Sequence, residues 1–218
     1  MRACVVIPTY NESSAIANLV KDIRRQGLDV VVVDDGSKDN TPGLAEVAGA
    51  VVLRNKTNEG KGASLIRGFD YVLSKDYDCI ISMDGDGQHL TQDIASFISK
   101  AENSPNEIFI GNRMLKTRKM PLVRLITNKF MSWLISRITR QDIPDTQCGF
   151  RLIRTDALKK LKLKAGNYET EAELLIRAAR CGMKIESVRI ETVYSGQKSR
   201  INPFIDTLRF IRFIIKEL

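Results

Sequence analysis

The sequence predicts an α/β fold in which a mostly parallel sheet is covered by helices on both faces. Short runs rich in Val and Ile lack polar alternation, as strands buried on both faces do. These runs alternate with longer stretches of helical spacing, the pattern of strands joined by crossover helices. The unusual polar residues collect just after the apolar runs, where open parallel sheets bind ligands.

Residues 3–7 read as the first strand. One Arg and a five-residue apolar stretch run into Pro8-Thr9-Tyr10-Asn11-Glu12 without a small-residue cleavage site, so a signal peptide is not expected. Residues 14–26 follow as a helix and 30–33 as the second strand. Residues 42–48 are a short helix with Asn40 or Thr41 as N-cap and Pro42 near its first position. Residues 50–53 make the third strand, 62–74 a helix and 79–82 the fourth strand. A strand at 106–111 leads to a helix at 121–139, and strands at 148–154 and 184–191 flank a helix at 168–181. No repeat or low-complexity linker interrupts the chain, so one domain over residues 1–218 is expected.

Composition narrows the function. Lys and Arg number 34 against 26 Asp and Glu, a formal net charge of +8. Between Glu107 and Asp142 lie 34 residues with no acid and eight bases: Arg113, Lys116, Arg118, Lys119, Arg124, Lys129, Arg137 and Arg140. Without them the two signs balance, so the whole excess is local and calls for an anionic partner. No recognisable DNA- or RNA-binding motif accompanies the charge, so nucleic acid is not expected. No run of about 18 apolar residues could span a bilayer. Cys4, Cys79, Cys148 and Cys181 are far apart and the chain has one His, which supports neither a zinc site nor a disulfide framework. Reduced core thiols in a cytoplasmic protein are expected.

The loop Asp84-Gly85-Asp86-Gly87-Gln88-His89 follows the fourth strand. Two carboxylates two residues apart, with small spacers, can direct oxygens at one hard cation such as Mg²⁺ or Mn²⁺, and Gln88 can add a carbonyl oxygen. A plain polar turn is the competing reading. His89 fits a backbone-orienting role as well as proton transfer. Asp34-Asp35-Gly36-Ser37 ends the second strand, where an acid can accept from a ribose or base edge. Asn58-Glu59-Gly60-Lys61-Gly62 opens the next helix and offers backbone donors and a cation to a diphosphate. It has neither Walker A spacing nor Gly-x-Gly-x-x-Gly, which disfavours a P-loop kinase and a hydride-transferring Rossmann enzyme.

These motifs, together with Gly111-Asn112-Arg113, Asp145-Thr146-Gln147-Cys148-Gly149-Phe150-Arg151 and Glu169-Thr170-Glu171, resemble those of the family 2 glycosyltransferases. Within that family the likeness is to the polyprenyl (dolichyl) phosphate sugar transferases, and it runs from residue 5 to about residue 202. The resemblance implies a glycosyltransferase A fold, with a mixed, mostly parallel sheet and helices on both faces. It implies a nucleotide-sugar half (1–111), an acceptor half (112–202) and a C-terminal amphipathic helix (203–218). It also implies inverting transfer from a nucleotide-diphosphate sugar to a polyprenyl or dolichyl phosphate. Pro8, Tyr10, Glu12 and Asp35 would then line the nucleotide pocket, while Asp84, Asp86 and Gln88 hold the metal on the diphosphate. Arg113, Arg124 and Asn128 would grip the acceptor phosphate, and Lys61, Gln147 and Glu171 would contact substrate. Mannose transferases of the group usually carry Asp-Ala-Asp-Leu-Gln-His; Gly85 and Gly87 stand here in place of Ala and Leu.

The chemistry agrees with an anionic acceptor. A cation held by Asp84 and Asp86 stabilises charge developing on a leaving diphosphate. A hydroxyl acceptor needs a general base, whereas a phosphate needs placement. The planar fork of Arg113 suits phosphate oxygens, although each base of the window also reads as a solvated surface charge. Asp145 reads as a site residue that organises Arg side chains or the sugar. Glu169 and Glu171 open a helix, where acids also favour the dipole. Leu122, Leu125, Ile126, Phe130, Trp133, Leu134 and Ile138 at helical spacing, and the basic amphipathic segment 204–218, suit a lipid interface, with core or subunit packing as the alternative. Expected partners are therefore the donor, the lipid phosphate, the cytoplasmic face of a membrane touched peripherally, and a separate membrane subunit. The competing activities are transfer to a saccharide or protein hydroxyl, and nucleotidyl transfer.

Overall fold

The computed structural model describes residues 1–115, 120–163 and 169–191, with residues 210, 212 and 214 of the C-terminal segment. In chain order the elements are β1 (Ala3–Thr9), α1 (Ile16–Arg25), β2 (Asp29–Asp34), α2 (Thr41–Val47), β3 (Val51–Arg54), α3 (Lys61–Leu73) and β4 (Cys79–Ser82). There follow α4 (Asp93–Glu102), β5 (Ile108–Asn112), α5 (Leu122–Thr139), β6 (Arg151–Arg154), α6 (Thr155–Leu158), α7 (Glu169–Arg180) and β7 (Ile185–Arg189). The seven strands form one sheet in the order β3-β2-β1-β4-β6-β5-β7. β1 pairs in parallel with β2 and β4, β2 with β3, and β5 with β7. Among the described strands β6 alone runs against its neighbours, β4 and β5.

Cys4, Val5, Val6 and Ile7 are each fully buried. Successive side chains of a strand point to opposite faces, so helices cover the sheet on both. Helix α3 packs across β1 and β2. A Cβ at its Gly68 would collide with the side chains of Val6 and Val33, so the glycine sets the closeness of that packing. At the sheet's rim the expectation of burial on both faces fails: Val51 of β3 is 45% exposed, because β3 is an edge strand.

Two helices are additions to the sequence reading. Helix α4 buries Ile94, Phe97 and Ala101, a stripe of three apolar residues without a side-chain cap to announce it; α6 is a single turn. The strand expected at 148–154 is shorter, because the residues before Arg151 form the loop that enters β6. Asn40 takes the N-cap position of α2 without a side-chain capping bond.

Helix α5 corrects a sequence expectation. Its apolar residues do not form one stripe: Asn128, Met131, Ser132, Ile135 and Thr139 face inward, while Leu122, Ile126, Phe130 and Trp133 are exposed. In the C-terminal segment, Phe210 and Ile214 are helical and buried in the core and Arg212 is exposed, which is a packing role for those two positions. The rest of 203–218 lies outside the described residues, as do Lys116, Arg118 and Lys119 of the basic window. No helix among the described residues is long and apolar enough to cross a membrane.

Candidate active site

The carboxyl ends of β1, β2 and β4 share one edge of the sheet, and the loops leaving them are bonded into a single surface. The Asn11 N–H donates to Ser37 Oγ (2.8 Å), the Glu12 N–H to Thr41 Oγ1 (2.8 Å) and the Lys38 N–H to Asn11 Oδ1 (2.8 Å). Pro8 ends in this surface, with Tyr10 and Glu12 half-buried beside it. Gly36, at φ +74°, lies so close to the backbone of Thr57 and Asn58 that a Cβ would clash at 2.9 Å, which draws the third crossover loop in.

Asp35 fixes that loop. Its Oδ1 accepts from Asn55 Nδ2 (2.8 Å) and the Glu59 N–H (2.9 Å), and its Oδ2 from the Gly60 N–H (2.9 Å). The geometry thus gives Asp35 the job of presenting Lys61, the first residue of α3. Asp34 behaves differently: Oδ2 accepts the Ser37 N–H (3.3 Å) and lies 3.4 Å from Arg54 Nε, while Oδ1 is buried without a hydrogen-bond partner. A buried unpaired acceptor at a ligand edge suits a donor from outside the chain.

Three distant segments meet at Lys61. Its Nζ is 2.6 Å from Asp84 Oδ1 and 3.1 Å from Glu171 Oε1. Burial works against the ammonium, but the two carboxylates outweigh it and hold Lys61 above its ordinary range. Burial likewise raises the Asp84 carboxyl, yet Lys61, with His89 and Arg113, keeps it well below the usual carboxylate range. His89 is buried against Phe150 (ring centroids 5.2 Å), and its Nδ1 accepts the Asp84 N–H at 3.4 Å. Burial lowers its pKa, and the ring orients the backbone of the loop.

Asp84 and Asp86 are half-exposed at the exit of β4, and Asp86 Oδ1 accepts the Gln88 N–H (2.9 Å). Two carboxylates and an amide carbonyl fit Mg²⁺ or Mn²⁺ as part of a coordination sphere that substrate phosphates complete. Among the described residues no group of three or more His, Cys, Asp or Glu forms a closed metal cage. Gly149 completes this corner: a Cβ there would sit 2.7 and 2.8 Å from the Asp84 carboxylate oxygens. Sequence reasoning gave Gly149 no role, although its place in the motif before Arg151 was a signal.

At the exit of β5 the fork of Arg113 is bound to Asp145: Nε donates to Oδ2 (2.7 Å), Nη2 to Oδ1 (2.9 Å) and the backbone N–H to Oδ2 (3.1 Å). Both residues are buried. Burial opposes the Arg113 charge, but the carboxylates of Asp145 and Asp84 keep it protonated. Asp145 therefore organises an arginine and is not free as a base. Arg151, fully buried, ties this loop to α7: Nε donates to the Cys148 carbonyl (2.9 Å), Nη2 to Thr146 (2.9 Å) and Nη1 to Glu171 (2.6 Å). That tie was not anticipated. Ser132 of α5 joins Thr146 through its hydroxyl, and one turn earlier Asn128 is buried with its Nδ2 unpartnered. Gln147 is half-buried in the same loop, its Nε2 3.4 Å from Thr146 Oγ1. Arg124 lies half-exposed in the first turn of α5, outside this hydrogen-bonded network.

Comparison with known proteins shows the family and the fold. Residues 4–162 match the family model described as glycosyl transferase family 2. The chain is 30% identical over 214 residues to a UDP-N-acetylglucosamine–dolichyl-phosphate N-acetylglucosaminyltransferase of Methanococcus voltae, covering 88% of this chain and 85% of the relative. It is 31% identical over 210 residues to an undecaprenyl-phosphate mannosyltransferase of Micrococcus luteus, covering 88% and 84%. The fold is that of glucosyl-3-phosphoglycerate synthase from Mycobacterium tuberculosis solved with UDP (TM-score 0.80, 18% identity, 99% of this chain and 79% of that one). Another crystal of that synthase holds Mn²⁺, UDP and glucosyl-3-phosphoglycerate (TM-score 0.73). The family model spans all but the C-terminal quarter of the chain, from β1 through α6, and the chain belongs to glycosyl transferase family 2.

Proposed function

We propose that this glycosyltransferase moves one sugar from a nucleotide-diphosphate sugar to a polyprenyl or dolichyl phosphate, with inversion at the anomeric carbon, at the cytoplasmic face of a membrane it touches peripherally. The observation that carries the reading is the state of the acids. Asp145 is spent on Arg113, Glu171 and Asp84 share Lys61, and His89 accepts from backbone. A hydroxyl nucleophile needs a base to take its proton; an acceptor phosphate brings its own charge. Arg113 and the unpaired Nδ2 of Asn128 supply cation and donor for such a phosphate, with Arg124 nearer solvent.

The division of labour follows the chain. Residues 1–111 bind the donor: Pro8, Tyr10, Glu12 and the Asp34–Asp35 pair hold the nucleoside, and Lys61 faces the diphosphate. Residues 112–202 bind the acceptor, with Gln147 and Glu171 directed to the sugar. Asp84, Asp86 and Gln88 would hold Mg²⁺ or Mn²⁺, which stabilises the charge of the leaving diphosphate. Attack of the acceptor oxygen on the anomeric carbon, opposite the diphosphate, forms one bond as the other breaks and inverts the configuration. The names of the two curated relatives differ in the sugar and agree on a polyprenyl phosphate acceptor, which supports the acceptor more than any sugar.

The test is direct. Radiolabelled nucleotide sugars incubated with the protein, polyprenyl phosphate and Mn²⁺ should give a lipid-linked sugar with at least one donor. Thermal shift should show stabilisation by that donor with Mn²⁺, lost in Asp86→Ala, together with a drop in turnover of roughly a hundredfold or more. Product on a saccharide or protein hydroxyl, with none on the lipid, overturns the acceptor. Pyrophosphate release from a nucleoside triphosphate and a sugar phosphate overturns the transfer chemistry.

A further inference from the structure

Helix α5 turns a mixed face inward, with Met131 and Ile135 beside Asn128, Ser132 and Thr139, and leaves an apolar one outward. An amphipathic helix packed on a fold shows its polar face to water, yet Leu122, Val123, Ile126, Phe130 and Trp133 are 43% to 69% exposed. At 100° per residue these five fall within one arc of about 100°, opposite the buried Met131 and Ile135. The rings of Phe130 and Trp133 stack at 6.2 Å and the Arg137 guanidinium lies 5.9 Å from the Trp133 ring centroid. Exposed Arg137 lies within the arc and exposed Lys129 flanks it about 20° beyond Leu122, and the helix carries no acid.

We infer that this arc is a docking surface for an anionic phospholipid bilayer, with α5 lying in the plane of the interface. Charge selects the occupant. A two-fold contact with a second copy presents the same patch on both sides, and Lys129 and Arg137 would meet their own kind without an acid on either helix. A bilayer with acidic headgroups offers opposite charge to the two bases and a hydrocarbon boundary to the apolar arc. Trp133 and Phe130 are the kind of amphipathic and apolar rings that sit at that boundary. The docking stands on this surface alone. Its value for catalysis rests on the acceptor reading above: the opposite side of the same helix carries Asn128 toward the acceptor loop, so docking holds the phosphate grip one helix diameter from the bilayer, about 10 Å.

Flotation tests the docking and a paired assay separates it from the activity. Wild-type protein should float with vesicles containing phosphatidylglycerol and not with pure phosphatidylcholine. The Phe130→Asp, Trp133→Asp double variant, altered at exposed positions, should keep its melting temperature and lose flotation at least tenfold. With a short-chain, water-soluble polyprenyl phosphate the variant should match wild type within about twofold, while transfer to the acceptor in anionic vesicles falls at least tenfold. Equal flotation of variant and wild type overturns the docking. So does a wild-type dimer in light scattering that the substitutions dissociate, which makes the arc a subunit contact, or flotation with both vesicle types, which removes the role of charge. Failure of wild type on the soluble acceptor counts against the proposed function and leaves the flotation result intact.

Discussion

Single residues decide how the site holds its charges. Gly149 is the sharpest case, because its missing side chain is the space occupied by the Asp84 carboxylate. Gly149→Ala forces a methyl to within 2.7 to 2.8 Å of two carboxylate oxygens, so the Asp84 carboxylate that pairs with Lys61 must shift. Turnover should fall about tenfold or more, with a stability loss of about 1–3 kcal/mol; steady-state kinetics and thermal melts check both, and unchanged kinetics would remove Gly149 from the site. Much of the site was legible at this scale. Acids at strand exits, Arg113 after β5 and Lys61 at a helix start announced themselves by residue type and spacing. Their pairings did not. Lys61 and Glu171 are 110 positions apart, and that Asp35 accepts from three donors follows only from how the loop at 55–60 folds back.

At the scale of elements, the sheet was readable where strands are central and unreadable where context decides. Uninterrupted Val and Ile made β1 and β2 plain, but nothing in a four-residue strand such as β6 says which way it runs, because apolar burial is the same in either direction. Helix α4 escaped notice for the opposite reason: its three anchors are too few to form a clear period. Its buried anchors seat it in the core, and polar ties across the sheet's far edge add to them. Glu186 of β7 accepts from Ser104 Oγ (2.8 Å) and Asn106 Nδ2 (2.8 Å) and pairs with Lys100 of α4 at 2.9 Å. Burial raises the Glu186 carboxyl, but these donors outweigh it and hold it below its ordinary 4.5. A depressed carboxylate contributes stability above its unfolded value that is lost as pH falls through the folded one. Glu186→Gln should therefore lower stability at neutral pH by about 1 kcal/mol or less, as suits a partly solvated pair. Its melting temperature should also decline less steeply than wild type below pH 4.5; parallel declines would show that Glu186 has no part in acid unfolding.

For the whole molecule, the core is dense enough to hide its thiols. Cys4, Cys79 and Cys148 are buried, and burial above all pushes each thiol up to about 12, while Cys181 is exposed. Alkylation near pH 8 should add one group to the native protein, at Cys181, and four after denaturation; intact-mass measurement reads both, and a second native adduct would mean that the core opens. The charge excess also takes its meaning at this scale, since most of its window forms one excursion of the chain between β5 and β6. Because β6 is reversed, that excursion leaves the sheet after Asn112 and returns at Arg151 on the same edge, with Ile110 and Arg151 paired across the two strands. It begins and ends beside the Arg113–Asp145 pair. The fold has thus set its basic window inside a parenthesis, which can lengthen, shorten or change its sequence while β1 to β4 keep their geometry.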